Sequence, residues 1–206
     1  TPGALFLALR GPSFNGAEFA RSAVEKGAAA VITDEPFESN VPVIAVKDTM
    51  QAFYGLASYY RSLFDIPVTA VTGSVGKTTV KEMIYTILSE KYKTLKTISN
   101  LNNEIGVCQM LMKIEPDTKA AFIEMGMDHA GEIAWHMNSV DPDLGILLNV
   151  GYVHAEALGS IEAVYEEKKN MADYLNRTGK PLVLNIDDEY LARIMQDFKS
   201  ELITFG

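Results

Sequence analysis

The stretch AVTGSVGKTTV, residues 70–80, decides how this chain folds. The apolar run over residues 66–71 predicts a buried strand, and the glycines behind it predict a tight turn that exposes backbone N–H groups. Lys77 then leads into a predicted helix over residues 78–90, and the N-terminus of a helix attracts anions. The stretch is therefore typical of a strand, turn and helix that bind phosphate groups.

This loop is shorter than the general phosphate loop, GxxxxGK followed by Ser or Thr, because the first glycine of that pattern would fall at Val71. The glycines that remain are Gly73 and Gly76. In the phosphate-binding interpretation, Lys77 meets the terminal phosphates and the Thr78 hydroxyl holds Mg²⁺. The alternative is a plain strand, turn and helix without a ligand.

Length and composition allow an ordinary enzyme. The chain has 206 residues, of which 48% are hydrophobic, so it can bury a real core in one or two domains. Its formal charge of -9 argues against nucleic acid as a partner, since nucleic-acid binders carry a basic surface. The single cysteine, Cys108, excludes an internal disulfide framework and is expected to be a small core residue of a helix. No apolar run approaches the roughly 18 residues of a membrane span and no signal peptide is visible, so we expect a cytoplasmic location without stable membrane insertion.

Strand-like and helix-like segments alternate along almost the whole chain, which predicts an α/β fold with a mostly parallel sheet covered by helices. The predicted strands cover residues 5–9, 29–33, 41–46, 66–71, 93–97, 120–126, 144–150, 181–185 and 202–205. The predicted helices cover residues 17–26, 48–63, 78–90, 104–112, 131–137, 160–175 and 188–198. The turn residues Asp65 and Pro67 indicate two domains, residues 1–66 and a central domain with the phosphate loop, residues 67–206.

Polar clusters follow four of the predicted strands. Because ligands bind at the carboxyl ends of parallel strands, these clusters predict one shared site, built from residues 73–79, 124–129, 149–154 and 185–188. Glu124 lies just past a buried strand, and its carboxylate suits Mg²⁺, although such a residue is often merely solvated. His154 follows another strand to the same edge and is a candidate ligand or proton carrier, with a hydrogen-bonded loop histidine as the alternative.

Five motifs together resemble the Mur ligase family in order and spacing: GSVGKTTVKEM, ISNLNNEIGV, EMGMDHAGEI, NVGYVHAEALGS and LNIDDEY. The resemblance implies an ATP-dependent amide ligase that builds the peptide of the bacterial cell-wall precursor. The motifs NLNNEIG and EMGMDHAGEI are most similar to those of the members that add D-alanyl-D-alanine to a UDP-N-acetylmuramoyl-tripeptide through an acyl phosphate. The opening PGALFLALRGPSFNGAEFA resembles the first domain of the family, which binds the UDP-sugar end of the substrate.

The resemblance implies roles for residues by their position in these motifs, with ATP and Mg²⁺ as cofactors. For catalysis it implies Lys77, Glu124, His154 and Lys168. For ATP binding it implies Gly73, Ser74, Val75, Gly76, Lys77, Thr78, Thr79, Asn103 and Asn185. For binding of the two other substrates it implies Arg10, Asn15, Gly16, Asn100, Asn102 and His129. The implied Mg²⁺ ligands are Thr78, Glu124, His154 and Lys168, the last after carbamylation, which turns a cation into an anion with oxygen donors.

Four residues depart from the family pattern: Ala4, Ala17, Val75 and Asp128. Asp128 stands where an asparagine is usual, which puts in doubt the polar contacts around the acceptor carboxylate. The family also has a C-terminal domain that closes over ATP, and no sequence for it follows Gly206. We therefore expect a monomeric chain, incomplete at both ends, that holds ATP weakly and does not complete ligation.

Two alternatives to this function stay open. The nearer one is another Mur-type or folylpolyglutamate-type ligase, which would share the phosphate loop but not the EMGMDHAGEI motif. The more distant one is a nucleotide-binding module without catalytic activity. That module would not modify Lys168 and would not need Glu124.

Overall fold

The computed structural model of this chain describes residues 2–11, 13–153 and 155–206. His154, a predicted metal ligand, lies outside the described residues. Within them, no helix is both long enough and apolar enough to cross a membrane.

The chain divides into two compact units, residues 1–56 and residues 57–206. The division falls inside a helix, Thr49–Ser62, and not at a turn. The two predicted domains, residues 1–66 and residues 67–206, therefore stay a prediction.

The first unit is a small α/β fold. Its elements in chain order are β1 (Leu5–Leu7), β2 (Arg10–Gly11), β3 (Phe14–Asn15), a 3-10 helix (Gly16–Phe19), α1 (Ala20–Glu25), β4 (Ala30–Thr33), β5 (Val43–Ala45) and the start of α2 (Thr49–Ser62). Strands β1, β4 and β5 form a parallel sheet in the order β1-β4-β5, and β2 pairs with β3 as an antiparallel hairpin. The sequence did not predict the hairpin, because strands of two residues leave no periodic pattern.

The second unit carries the larger sheet. Its elements in chain order are β6 (Val68–Thr72), α3 (Lys77–Ser89), β7 (Thr94–Lys96), α4 (Glu104–Leu111), β8 (Ala120–Glu124), α5 (Glu132–Val140), β9 (Leu144–Leu147), α6 (Ala155–Leu158), α7 (Ile161–Thr178), β10 (Leu182–Asn185), a second 3-10 helix (Leu191–Gln196) and β11 (Leu202–Phe205). The strand order is β11-β10-β9-β6-β8-β7, and every pairing between these strands is parallel. The predicted α/β fold with a parallel sheet is confirmed.

The central strand β6 brings the polar clusters together. It lies between β8 and β9, with Val71 opposite Glu124 on one side and Thr72 opposite Leu147 on the other. The carboxyl ends of these three strands are therefore level at one edge of the sheet. Beneath that edge, Val71, Phe122, Ile146 and Leu148 form a buried cluster. The partly buried Val80 and Ile84 of α3 and Val183 of β10 pack against it.

One predicted helix was wrong in type. Residues 188–198 were expected to be an α-helix, but the structure has the 3-10 helix Leu191–Gln196 there. The Asp188 carboxylate accepts the N–H groups two and three residues further on, each at 3.0 Å, and its other oxygen accepts the Val150 N–H at 2.8 Å. This short-range bonding competes with an α-helical turn and fixes a tighter one.

Other predicted elements also begin or end at different residues. The predicted helix over residues 17–26 begins as a 3-10 turn, because the Asn15 side chain accepts the N–H only two residues on, at 3.1 Å. The predicted strands over residues 120–126 and 144–150 end at Glu124 and Leu147. Beyond those points the backbone leaves the sheet and forms the loops of the site.

Cys108 is a core residue, as the sequence predicted. It lies on α4 with no exposed surface, and burial raises the pKa of its thiol to about 12. Because the thiolate is the reactive form of cysteine, this pKa argues against a role for Cys108 as a nucleophile.

His136 on α5 is a buried histidine that stays neutral. Its side chain has no exposed surface, and neither ring nitrogen makes a well-formed hydrogen bond with a described residue. Burial lowers the pKa of the ring to about 4, and the Gly126 backbone opposes that effect. The ring packs edge-on against Trp135, with 5.1 Å between the centroids.

We predict that His136 makes the stability of the fold depend on pH. Its pKa is lower in the folded chain, at about 4, than in the unfolded chain, at 6.5, so the unfolded chain binds the extra proton as the pH falls between these values. The free energy of unfolding should drop by about 3 kcal/mol across that interval from this group alone. Urea unfolding of the wild type and of His136→Gln at a series of pH values measures the difference. Parallel curves for the two proteins would contradict the prediction.

Candidate active site

The loop after β6 has the backbone that its glycines predict. Gly76 is the N-cap of α3 with a φ of +86°, a conformation that residues with a side chain rarely adopt. A Cβ atom on Gly73 would meet the Cβ of Leu148 at 2.8 Å, so the loop can approach the residue after β9 only without a side chain there. The result is a bend whose N–H groups adjoin the N-terminus of a 13-residue helix, which is an arrangement suited to anions.

Asn149, in the segment that follows β9, braces this loop. Its Oδ1 accepts the Val75 N–H at 2.9 Å, and its Nδ2 donates to the Val75 carbonyl at 3.0 Å. The Ser74 hydroxyl adds a second pair of bonds, since it accepts the Gly151 N–H at 2.8 Å and donates to the Gly151 carbonyl at 3.2 Å. Sequence reasoning placed Asn149 at this edge of the sheet but gave it no role. Its signal was an asparagine directly after a buried strand that neighbours the glycine loop.

Lys77 lies over the loop that precedes it. Its ammonium donates to the Gly73 carbonyl at 2.7 Å. Burial lowers the pKa of Lys77, and the negative charge of Glu124 opposes that effect. A partly buried ammonium bonds more strongly to an anion than to a neutral carbonyl, so an anion that enters the site would replace the Gly73 carbonyl as its partner. Beside it, Val75, Thr78 and Thr79 are exposed, whereas Ser74 is buried.

Glu124 is the centre of a buried polar cluster. The residue is 2% exposed, and its carboxylate meets side chains from two other segments. Oε2 accepts from the Thr78 hydroxyl at 3.1 Å and lies 3.2 Å from Lys81 Nζ. Oε1 accepts from Asn102 Nδ2 at 2.9 Å. The Glu124 N–H is also satisfied, because it donates to the Thr97 hydroxyl at 2.8 Å.

Sequence reasoning missed Lys81, which is 1% exposed. It follows Thr78 by three residues on α3, and residues three apart share one face of a helix. That spacing directs both side chains to the same carboxylate. It is the feature of the sequence from which the position of Lys81 in the site could have been predicted. A lysine within a helix otherwise passes for a solvated charge.

The donors in this cluster fit Mg²⁺. A carboxylate and a hydroxyl within 3.1 Å of each other are the oxygen ligands that Mg²⁺ takes when phosphate oxygens and water complete its coordination. In the described part of the chain, no three His, Cys, Asp or Glu side chains gather into a metal cluster. Glu124 and Thr78 therefore fit a metal that arrives with a phosphate ligand better than a cation held by the protein alone.

Lys168 is a second buried lysine near the loop. It lies on α7, is 1% exposed, and its Nζ lies 3.4 Å from the thioether sulfur of Met127. The pKa of Lys168 falls to about 7, first because of burial and then because of the charge of Lys77, while Glu167 opposes the change. A large fraction of this amine is therefore uncharged near neutral pH. The next residue, Lys169, is different, because it pairs with Asp173 at 2.9 Å on the surface of the helix.

Glu167 fixes the helix that carries Lys168. Its two carboxylate oxygens accept the N–H groups of Gly131 and Ile133 at the start of α5, each at 2.7 Å. A carboxylate at the N-terminus of a helix is favoured by the helix dipole. These bonds join α7 to the loop after β8 and so place Lys168 beside Met127.

The remaining predicted residues of this unit make internal contacts. Asn103 caps α4 through the Gly106 N–H at 2.9 Å, and Asn185 donates to the Leu148 carbonyl at 2.9 Å.

The predicted substrate residues of this unit differ in their surroundings. Asn100 is exposed on the loop before α4, and Asn102 contacts Glu124 as described above. The His129 side chain is 84% exposed, with Nδ1 at 3.3 Å from a carboxylate oxygen of Glu132. Of these residues, the structure brings Asn102 into the Glu124 cluster.

The predicted UDP-sugar residues lie together in the first unit. Arg10 pairs with Asp34 at 2.6 Å and also with Glu35, and the two carboxylates raise the pKa of the guanidinium above its usual value. Asn15 Nδ2 donates to Glu35 at 3.2 Å. Gly16 passes so close to the segment between β1 and β2 that a Cβ atom there would lie 2.6 Å from the Leu9 carbonyl oxygen.

Comparison with known protein families adds to this geometry. Residues 71–206 match the Mur ligase middle domain, and residues 1–61 match the domain described as Mur ligase family, catalytic domain. The chain belongs to the Mur ligase family. The family predicted from five sequence motifs is thereby confirmed.

Individual Mur ligases resemble this chain over nearly its whole length. A UDP-N-acetylmuramoyl-tripeptide--D-alanyl-D-alanine ligase of Synechocystis sp. is 41% identical over 208 residues, which cover 99% of this chain and 46% of that relative. MurF from Acinetobacter baumannii has a TM-score of 0.94 and 32% identity, and the match covers 100% of this chain and 46% of that one. MurF ligase from Thermotoga maritima, solved in complex with ADP, has a TM-score of 0.91 and 29% identity, over 100% and 48% of the two chains. The chain spans about half the length of the Mur ligases that it matches.

We predict that Asn149 is needed for the shape of the glycine loop, residues 73–76. Asn149→Ala removes the acceptor of the Val75 N–H and the donor to its carbonyl, so amide exchange at Val75 should quicken by about tenfold. The free energy of unfolding should fall by about 1 to 2 kcal/mol. Hydrogen exchange of residues 73–76, read by mass spectrometry or NMR, measures the effect. Asn138→Ala, which removes an exposed amide that bonds within α5, is the control and should leave the loop unchanged.

Proposed function

We propose that this chain acts in the ATP-dependent ligation of D-alanyl-D-alanine to a UDP-N-acetylmuramoyl-tripeptide. The observation that carries the proposal is the meeting of three features at one edge of the parallel sheet. These features are the glycine loop with Lys77, the Thr78 and Glu124 pair, and the buried amine of Lys168. The names of the Synechocystis and Acinetobacter relatives support the substrates, and the ADP complex of the Thermotoga relative supports the nucleotide.

The glycine loop is the proposed binding site for the phosphates of ATP. Backbone N–H groups of residues 76–79, at the N-terminus of α3, and the Lys77 ammonium would bind the phosphate oxygens, with Lys77 leaving the Gly73 carbonyl to do so. Phosphate charge next to Lys77 would reverse the lowering of its pKa that burial causes. Asn103 and Asn185 are proposed near the nucleotide, as in the family pattern.

Thr78, Glu124, His154 and Lys168 are the proposed Mg²⁺ ligands. When bound, Mg²⁺ would neutralise charge on the transferred phosphoryl group. Thr78 and Glu124 already lie side by side with oxygen donors. The chain contributes no nucleophile in this proposal, because phosphoryl transfer depends on positioning and on the neutralisation of charge.

Carbamylation of Lys168 is part of the proposal. The uncharged amine would attack carbon dioxide, a bond would form between Nζ and carbon, and one proton would pass to solvent. The product is a carbamate anion in place of a cation. That change removes the repulsion between Lys168 and Lys77 and replaces it with attraction.

The ligation itself has two steps. A carboxylate oxygen of the tripeptide attacks the terminal phosphorus of ATP, and ADP leaves with the electron pair of the broken bond. The amine of D-alanyl-D-alanine then attacks the acyl phosphate, loses a proton, and releases inorganic phosphate. We propose that Arg10, Asn15 and Gly16 bind the UDP-sugar end, and that Asn100, Asn102 and His129 contact the peptide substrates. A cytoplasmic monomer is the proposed state.

We predict that Lys168 takes up labelled bicarbonate. With ¹³C-bicarbonate, the wild-type chain should show one carbamate carbon signal by NMR, because Lys168 combines a buried amine with a pKa near neutrality. Lys168→Gln should lose the signal. Lys169→Gln is the matched control, since that lysine is paired with Asp173, and it should keep the signal. A signal that survives in Lys168→Gln would contradict the assignment.

We also predict that this chain supports ligation when it replaces the matching segment of the Synechocystis relative. In such a chimera, phosphate release should require both the UDP-N-acetylmuramoyl-tripeptide and D-alanyl-D-alanine. Lys77→Met should lower kcat by about 100-fold or more, because it removes the cation at the transferred phosphoryl group. Lys91→Met, at an exposed lysine after the same helix, is the matched control.

The outcomes of the chimera assay separate the alternatives. Equal release with glutamate in place of the dipeptide would favour another ligase of this type. No acceptor-dependent release, with the unaltered relative active in parallel, would favour a module without catalytic activity.

A further inference from the structure

Lys81 is the charged side chain closest to the proposed metal ligand that the proposed reaction does not use. Its Nζ lies 3.2 Å from Glu124 Oε2, and both residues are at most 2% exposed. The same ammonium lies 3.8 Å from Glu82, which in turn pairs with Lys96. Lys96 then lies over the ring of Tyr85, 4.0 Å from its centroid. The chain of contacts runs from the buried carboxylate to the surface of the protein.

The charges around Glu124 are unusual for a metal site. Two ammonium groups, those of Lys77 and Lys81, lie near the one carboxylate of Glu124. The hydroxyl of Thr78 and the amide of Asn102 also donate to that carboxylate. All four groups stabilise the negative charge of the carboxylate without a metal. The charge of Glu124 is therefore already balanced when no ligand is bound.

We propose that Lys81 is the resident counter-ion of Glu124, a positioning residue that makes divalent cation binding depend on the nucleotide. This inference rests on the proposed binding of ATP and Mg²⁺ at the same site. With Lys81 beside Glu124, a free divalent cation meets a neutralised carboxylate and the repulsion of two ammonium groups. The negative charges of a triphosphate reverse that balance, so metal and nucleotide bind together.

The geometry favours this role over a purely structural one. A lysine that served only to fill space would not need its ammonium against a carboxylate oxygen in a site with almost no exposure. Thr78 and Lys81 are three residues apart on α3, so both side chains reach the same oxygen, Oε2 of Glu124. The Thr78 hydroxyl is a proposed metal ligand, and the Lys81 ammonium is the proposed counter-ion. A cation bound at Oε2 therefore competes directly with the ammonium of Lys81.

Manganese binding tests the proposal, since Mn²⁺ takes the same oxygen ligands as Mg²⁺ and its EPR signal reports the free ion. Wild type, Lys81→Met and Lys96→Met are titrated with Mn²⁺, first without nucleotide and then with a nonhydrolysable ATP analogue. Lys96→Met is the matched control, because it removes a positive charge from the same chain of contacts without touching Glu124. Thermal unfolding with and without Mn²⁺ is recorded for each protein.

Without nucleotide, Lys81→Met should bind Mn²⁺ at least about tenfold more tightly than wild type, because a repulsive charge is gone. Lys96→Met should match wild type. In the same experiment, Mn²⁺ alone should raise the unfolding temperature of Lys81→Met but not that of wild type. Equal affinities for wild type and Lys81→Met, or weaker binding by the variant, would overturn the proposal.

Wild type alone also tests the inference, whatever the stability of the variant. Nucleotide-free binding of Mn²⁺ to wild type with a dissociation constant below about 100 µM would overturn it. Failure of the proposed function has a different signature. In that case the ATP analogue would not increase Mn²⁺ binding to wild type, whereas the nucleotide-free comparison would still decide the role of Lys81.

Discussion

The site of this protein depends on one buried carboxylate. Glu124 ends a strand that is buried along its length, and a charge at 2% exposure is stable only when hydrogen-bond donors replace water. Thr78 on the helix after the glycine loop and Asn102 on the loop before α4 donate hydrogen bonds to the carboxylate, and the Lys81 ammonium on that helix forms an ion pair with it. The charge therefore joins three segments that are far apart in sequence, and it fixes the helix after the glycine loop relative to the sheet.

Around that carboxylate the site carries an excess of positive charge. Lys77 bonds to a backbone carbonyl and Lys168 contacts a thioether, and neither forms an ion pair with a described carboxylate. Burial lowers the pKa of both lysines, most strongly for Lys168, which the charge of Lys77 also affects. Such a site is prepared for anions, because phosphate or carbamate charge relieves the cost of holding two lysines away from water.

Much of the fold could be predicted from the sequence because its signals are local. The glycine turn, the helix behind it and the strand over residues 202–205 follow from patterns within a few residues. The segment over residues 188–198 could not be predicted in the same way. Its geometry depends on Asp188, whose carboxylate also bonds to the Val150 N–H from another loop. The hairpin of β2 and β3 was missed because its strands are too short to show a period.

The sequence alone determined the family, the parallel α/β fold and the candidates Lys77, Thr78, Glu124 and Lys168, because each lies in a motif or directly after a periodic segment. Only the tertiary structure decided which of them share one environment and which neighbours they need. Lys81 and Asn149 emerged there, since their roles consist of contacts with Glu124 and Val75, which lie in other segments of the chain. Burial and charge balance are properties of packed neighbours, and a linear pattern does not contain the distances that set them.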